Sequence, residues 1–117
     1  MYKQELVISE SNAAGNVEVD SFDTCQISII NGCEILYEEN RTEMQRHLET
    51  DEVFVPLMGE TVLLIGEERK RYELEIGKVY NVKMGTWHVV CMKDGAKVLV
   101  VEKVGTGMEN SEVVPFK

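Results

Sequence analysis

A chain of 117 residues, 44% hydrophobic and 28% charged, has room for one core of ordinary size, and its mixture excludes collagen-like, disordered and membrane-embedded classes. Its 21 acidic residues against 12 basic ones leave a formal charge of −9, which repels nucleic-acid backbones and anionic membrane surfaces, so neither is expected as a partner. The N-terminal MYKQELVISESN lacks the apolar stretch of a secretory signal, and the three cysteines, Cys25, Cys33 and Cys91, contain no CxxC pair; a cytoplasmic chain with reduced thiols, forming one domain over residues 1–117, is expected.

Short strand-like segments follow one another between turn residues, the spacing of sandwiches and barrels. In chain order, strands are predicted over residues 5–8, 25–30, 34–37, 52–58, 61–65, 72–76, 79–82, 87–92 and 97–103, and residues 42–46 carry a helical flavour about one turn long. The intervening Asn31-Gly32, Gly59-Glu60, Gly77-Lys78 and Lys93-Asp94-Gly95 each offer a residue that tolerates positive φ. Pro56 lies inside EVFVPLM, and its missing amide hydrogen restricts that strand to an edge, a bulge or an irregular ladder. The basic cluster Arg69-Lys70-Arg71 reads as a solvated hairpin loop. Beyond Glu102 the strand pattern stops, and the tail GTGMENSEVVPFK, apolar at Val113, Val114 and Phe116, is suited to docking on a neighbouring sheet or a partner subunit.

Strand alternation groups the polar residues in an informative way. Gln45 and His47 share one face, Glu52, Phe54 and Pro56 share another, and Thr50-Asp51 can supply the turn that brings the two sets together. In the last apolar run His88, Val90 and Met92 fall on one face, with Val89 and Cys91 on the other. With the first face lining a barrel, His88 meets His47 and Glu52 inside. Trp87 falls on the opposite face, where packing between sheets is expected, and Cys91 reads as a small buried hydrophobe.

QRHLETDEVFVPLMG, with His47, Glu52 and Gly59, resembles the first motif of the cupins, except that Gln45 stands where that family has its first histidine. GKVYNVKMGTWHVVCM, with Gly77, Gly85 and His88, resembles the second motif, with Lys83 at the usual proline and Met92 at the usual asparagine. The YNV and GTWH segments are similar to the same region of the ureidoglycolate lyase branch. Both histidines of the chain thus stand at metal-ligand positions of the family. The resemblance implies an all-β double-stranded β-helix, a jelly-roll barrel, and His47, Glu52 and His88 as metal ligands, with the Gln45 carbonyl as a weak fourth.

Two imidazoles and a carboxylate suit manganese, iron, nickel, copper or zinc, and such an ion polarises a carbonyl or acidifies a bound water. The alternative is a metal-free pocket in which the three residues hydrogen-bond one another or a ligand. Glu49 and Tyr80 are candidate catalytic acid/base or hydrogen-bonding groups at the pocket edge. Two functions are carried forward: a small-molecule enzyme acting on a polar, oxygen-rich metabolite by lyase, isomerase or hydrolase chemistry, and a small-ligand-binding or sensing domain without turnover. The resemblance also implies a homodimer.

Overall fold

The computed structural model describes residues 5–117; residues 1–4, part of the N-terminal stretch read above for a secretory signal, lie outside the described residues. Among the described residues ten strands form: β1 (Gly15–Phe22), β2 (Cys25–Asn31), β3 (Glu43–His47), β4 (Glu52–Met58), β5 (Thr61–Ile65), β6 (Lys70–Glu73), β7 (Tyr80–Val82), β8 (His88–Met92), β9 (Lys97–Lys103) and β10 (Ser111–Pro115). They assemble into two five-stranded antiparallel sheets, ordered β1-β2-β9-β4-β7 and β10-β3-β8-β5-β6. From β2 onward the chain passes from one sheet to the other at every connection except the β5–β6 hairpin. That repeated crossing is the jelly-roll arrangement, and it sets residues distant in sequence opposite one another.

Alternation decides which side chains enter the core. Ile30, Phe54, Leu63, Val82, Val90, Met92, Val98 and Val100 come from both sheets and pack in the space between them. A second cluster, Met44, Val62, Leu64, Val89 and Cys91, belongs to the second sheet alone and lies on its outer face under Trp87, Val114 and Phe116. Trp87 therefore packs outside the barrel rather than between the sheets, with the Arg46 guanidinium 4.5 Å above its ring. Burial in that cluster pushes the Cys91 thiol up to about 11, which leaves it an inert apolar filler. Among the described residues no helix is long and apolar enough to cross a membrane.

Four segments depart from the sequence expectations. Residues 5–8 form no strand, and Leu6, Val7 and Ile8 stay exposed; β propensity without a partner strand does not make a ladder. Residues 34–37 are not extended either: two short 3-10 turns, Glu34–Leu36 and Glu38–Asn40, occupy the region. The segment read as one helical turn is β3, because a single turn has too few internal hydrogen bonds to offset its nucleation, whereas pairing with β8 and β10 buries Met44 and His47. Strand β1, not expected from sequence, has only Val17 and Val19 as a short half-buried apolar alternation and is otherwise exposed, so the β2 ladder more than burial holds it. The tail does dock on a neighbouring sheet, as β10 along β3.

Pro56 behaves as its missing donor requires. Strand β7 covers β4 only from Glu52 to Phe54, so Pro56 sits where β4 has lost that neighbour, and the β4–β9 register slips between Pro56 and Met58.

The glycines of the two motif-like segments have different tasks. Gly59 has φ of +74°, and an added Cβ would lie 2.5 Å from Ala96 Cα and 2.8 Å from the Gly95 carbonyl oxygen. Gly85 has φ of +82° with open space where a Cβ would go. Gly59→Ala should therefore cost about 3 kcal/mol or more, strain and overlap together, and Gly85→Ala only about 1 kcal/mol. Urea denaturation of the two variants, compared at equal m-value, checks the difference.

Candidate metal centre

One end of the barrel interior is polar where the rest is apolar. From the second sheet, His47 closes β3 and His88 opens β8, and Gln45 stands directly across the β3–β8 ladder from His88. From the first sheet, Glu52 opens β4, Glu102 lies near the end of β9, and Gln26 is its register partner on β2. Because Val53 pairs with Val101, the next inward-facing step in the ladder sets Glu52 and Glu102 side by side. His47, Glu52, His88 and Glu102 are 8%, 5%, 1% and 8% exposed.

Local backbone contacts hold the two motif-like segments together. The Gly85 amide donates to the His47 carbonyl at 2.8 Å, which ties the GTWH turn to the end of β3. Asp51 receives the Met84 amide at 2.8 Å and Lys83 Nζ at 2.8 Å, and these donors hold its carboxyl below the ordinary range. Lys83 thus clamps the turn in which the family motif has a proline.

Glu52 is the hub. Its Oε1 lies 2.9 Å from His47 Nε2 and 2.8 Å from His88 Nε2. Burial alone would raise its pKa, but hydrogen bonds from His47 and then His88, with their charge, outweigh burial and hold it at about 2. The far nitrogen of each ring is also engaged: His47 Nδ1 with Ser111 Oγ at 2.7 Å, and His88 Nδ1 with the Thr86 carbonyl at 2.8 Å. A carbonyl only accepts, so His88 Nδ1 carries a proton and its neutral ring would present a lone pair at Nε2. That lone pair faces a carboxylate oxygen, so the contact at this distance is made by a proton shared between the two atoms or by a metal ion bound to both.

The ligand atoms of His47, Glu52 and His88 all lie within 4.8 Å of one another, close enough to share one ion. Both imidazoles are oriented by partners at their other nitrogen, as metal-ligating histidines almost always are. The residues present therefore fit a divalent transition metal. Phe54 meets His88 edge-on, ring centroids 6.2 Å apart, and forms an apolar wall of the site.

Glu102 was not singled out from sequence. Its Oε1 accepts from Gln26 Nε2 at 3.2 Å, while Oε2 is buried without a hydrogen-bond partner and lies 3.6 Å from His47 Nε2. Burial, then the negative charge of Glu52, raises its pKa to about 7. The signal was present in the alternation of β9, where Val98, Val100 and Glu102 share the inward face. Glu49 lies on the surface with Lys103 Nζ at 3.2 Å. The Tyr80 hydroxyl accepts the Glu75 amide at 2.9 Å, and Tyr80 pairs with Phe54 rather than with Glu52. The structure thus brings His47, Glu52 and His88 together with Gln45 beside them, and sets Glu49 and the Tyr80 hydroxyl apart. Two surface clefts, about 430 Å³ around Thr61 and Arg71 and about 150 Å³ around Trp87 and Phe116, lie away from this layer.

No protein-family model matches the chain, and no curated protein matches it. Solved structures do. A cupin-2 domain protein from Shewanella frigidimarina superposes with a TM-score of 0.61 at 19% identity, over 80% of this chain and 84% of that one. Streptomyces Pac13 with uridine reaches a TM-score of 0.67 at 11% identity, over 99% of this chain and 93% of that one, and Pac13 is described as a nucleoside dehydratase. The Fe(II) protein HppE gives a TM-score of 0.54 at 16% identity, over 68% of this chain and 42% of that one. The chain has the cupin fold.

In the metal-free protein the shifted groups predict a pH profile. The folded state keeps protons on Glu102 and His47 that the unfolded chain would release, so stability falls as pH rises through neutrality. Glu52 acts oppositely, and its contribution is lost as pH falls from the ordinary carboxylate range toward 2. Chelator-treated protein should lose on the order of 1 kcal/mol, or about 4 °C in Tm, between about pH 6 and about pH 8. Glu102→Gln should flatten that drop and melt higher than the parent at about pH 8; an unchanged slope in thermal scans refutes the assignment.

Proposed function

We propose that this chain is a cupin-type small-molecule enzyme that uses a divalent transition metal at His47, Glu52 and His88 to act on a polar, oxygen-rich metabolite. The observation that carries this reading is the convergence of one ligand atom each from His47, Glu52 and His88, all within 4.8 Å of one another, in a buried layer. A bound ion would polarise a carbonyl or acidify a coordinated water. Around it, the chain's own residues orient the imidazoles through Ser111 and Thr86, exclude bulk water, and set the buried carboxyl of Glu102 beside His47.

Lyase, isomerase and hydrolase chemistry all fit such a centre. Lyase chemistry has added support from the shared fold with Pac13, described as a nucleoside dehydratase, and the YNV and GTWH segments keep a ureidoglycolate-type substrate among the candidates. Iron has support from HppE, a protein with Fe(II). Gln45 is proposed as a weak further ligand beside His88, and Glu49 and Tyr80 as acid/base groups, a role that would need the Lys103 and Glu75 contacts to open. A cytoplasmic setting is proposed on the odd count of cysteines with no CxxC pair.

Protein purified without chelator should carry about one equivalent of manganese, iron, nickel, copper or zinc per chain, and His88→Ala, with its near-ultraviolet circular dichroism retained, should lose it. Metal in neither sample removes the mechanism. With metal present, a panel of polyhydroxylated metabolites that includes nucleosides should show a substrate whose turnover stops on chelation.

A second reading is a metal-free binding or sensing domain. It is favoured by Gln45, a neutral amide where an imidazole would strengthen ion binding, and by the mutual hydrogen bonding of His47, Glu52 and His88. It requires a metabolite that raises Tm without being consumed. A second copy of this chain is the proposed partner in either case, because the outer face of the first sheet presents Ile27, Val53, Val55, Leu99 and Val101, all half-buried and contiguous in register. Sedimentation at micromolar concentration should show a dimer that Val101→Lys dissociates; a monomeric parent would rule this partner out.

A further inference from the structure

We propose that Glu102 is a fourth ligand to the divalent ion at His47, Glu52 and His88, reaching it from the first sheet and compensating for the imidazole absent at Gln45. The inference rests on the metal-centre reading above and adds a residue to it that neither motif contains.

The carboxylate of Glu102 is divided between two tasks. Its Oε1 is fixed by the Gln26 amide at 3.2 Å, and its Oε2 is left buried with no donor. A buried carboxyl oxygen without a hydrogen-bond partner is costly, and here it stands 3.6 Å from His47 Nε2. Nitrogen and oxygen ligands bound tetrahedrally at roughly 2.1 Å lie about 3.4 Å from one another, so Oε2 has close to that spacing from His47 Nε2, while it stands outside the His47, Glu52 and His88 cluster and would move toward the other two to share an ion. Gln26 plays the part of an outer partner that aims a carboxylate, as such partners commonly do.

Charge points the same way. Two carboxylates set side by side by the β4–β9 register in a dry layer repel. A divalent ion between them neutralises both and supplies the missing partner of Oε2. The alternative, a third imidazole as the fourth ligand, is not available, because the chain has only two histidines. A set of two imidazoles and two carboxylates is harder than one with an imidazole at position 45, and so shifts preference toward manganese, ferrous iron and zinc and away from cuprous ion.

The test is a competition titration of the chelator-stripped full chain with zinc and with manganese, using a chromophoric chelator, alongside the manganese electron paramagnetic resonance spectrum. Glu102→Gln should bind zinc roughly 30- to 100-fold more weakly than the parent and change the manganese line shape, while Gln26→Leu, which only frees the carboxylate, should weaken binding about 3- to 10-fold. Thermal scans of both variants confirm that they fold; should Glu102→Gln fail to do so, Gln26→Leu decides. Parent binding with affinity unchanged in the variants overturns the role of Glu102 and leaves the three-residue centre standing. A parent that takes up neither zinc nor manganese overturns both.

Discussion

The carboxylate of Glu52 sits in the polar end of a barrel whose remaining interior is apolar, and an ionised group survives there only if donors or cations surround it. His47 and His88 both direct Nε2 at one of its oxygens, and Ser111 and the Thr86 carbonyl orient those rings from behind. The layer therefore depends on a chain of contacts that runs from β4 through both imidazoles to the backbone of the opposite sheet. Breaking any link leaves buried charge uncompensated, which is why this end of the barrel is both a structural constraint and a centre able to hold an ion.

The fold delivers these groups by alternating between sheets. Each crossing moves the chain across the interior, so the start of β4 and the end of β9 face the end of β3 and the start of β8. Short-range contacts then refine the approach: Gly85 bonds the His47 carbonyl, and Asp51 gathers Met84 and Lys83. Gly59 works at the other end of β4, where its backbone runs too close to Gly95 and Ala96 for a side chain. The result is a rigid scaffold with Phe54, Val90 and Val100 packed in the core next to the polar layer.

Much of this was legible along the chain because it depends on local alternation. Strands β4 and β5 have the bounds that their apolar periodicity predicts, and His47, Glu52 and His88 converge as their shared faces require. The misses have a common cause. Strands β1, β3 and β10 carry weak or mixed patterns and owe their extended form to the ladder of a neighbour, which no local window contains. Residues 5–8 show the reverse, a good strand pattern for which the described residues provide no ladder. Trp87 was placed on its correct face, but which layer covers that face is a property of the outer cluster.

From its residues alone, the chain determined an all-β fold with two histidines and a glutamate facing a shared interior, since period-two alternation and turn chemistry are encoded within a few positions. Only the tertiary structure decided that Glu102 and Gln26 join them, that Glu49 and the Tyr80 hydroxyl turn to Lys103 and Glu75, and that one oxygen of Glu102 remains without a donor. The physical reason is that hydrogen-bond satisfaction in a buried layer depends on which strands lie side by side, and cross-sheet register arises from the packing of the whole barrel.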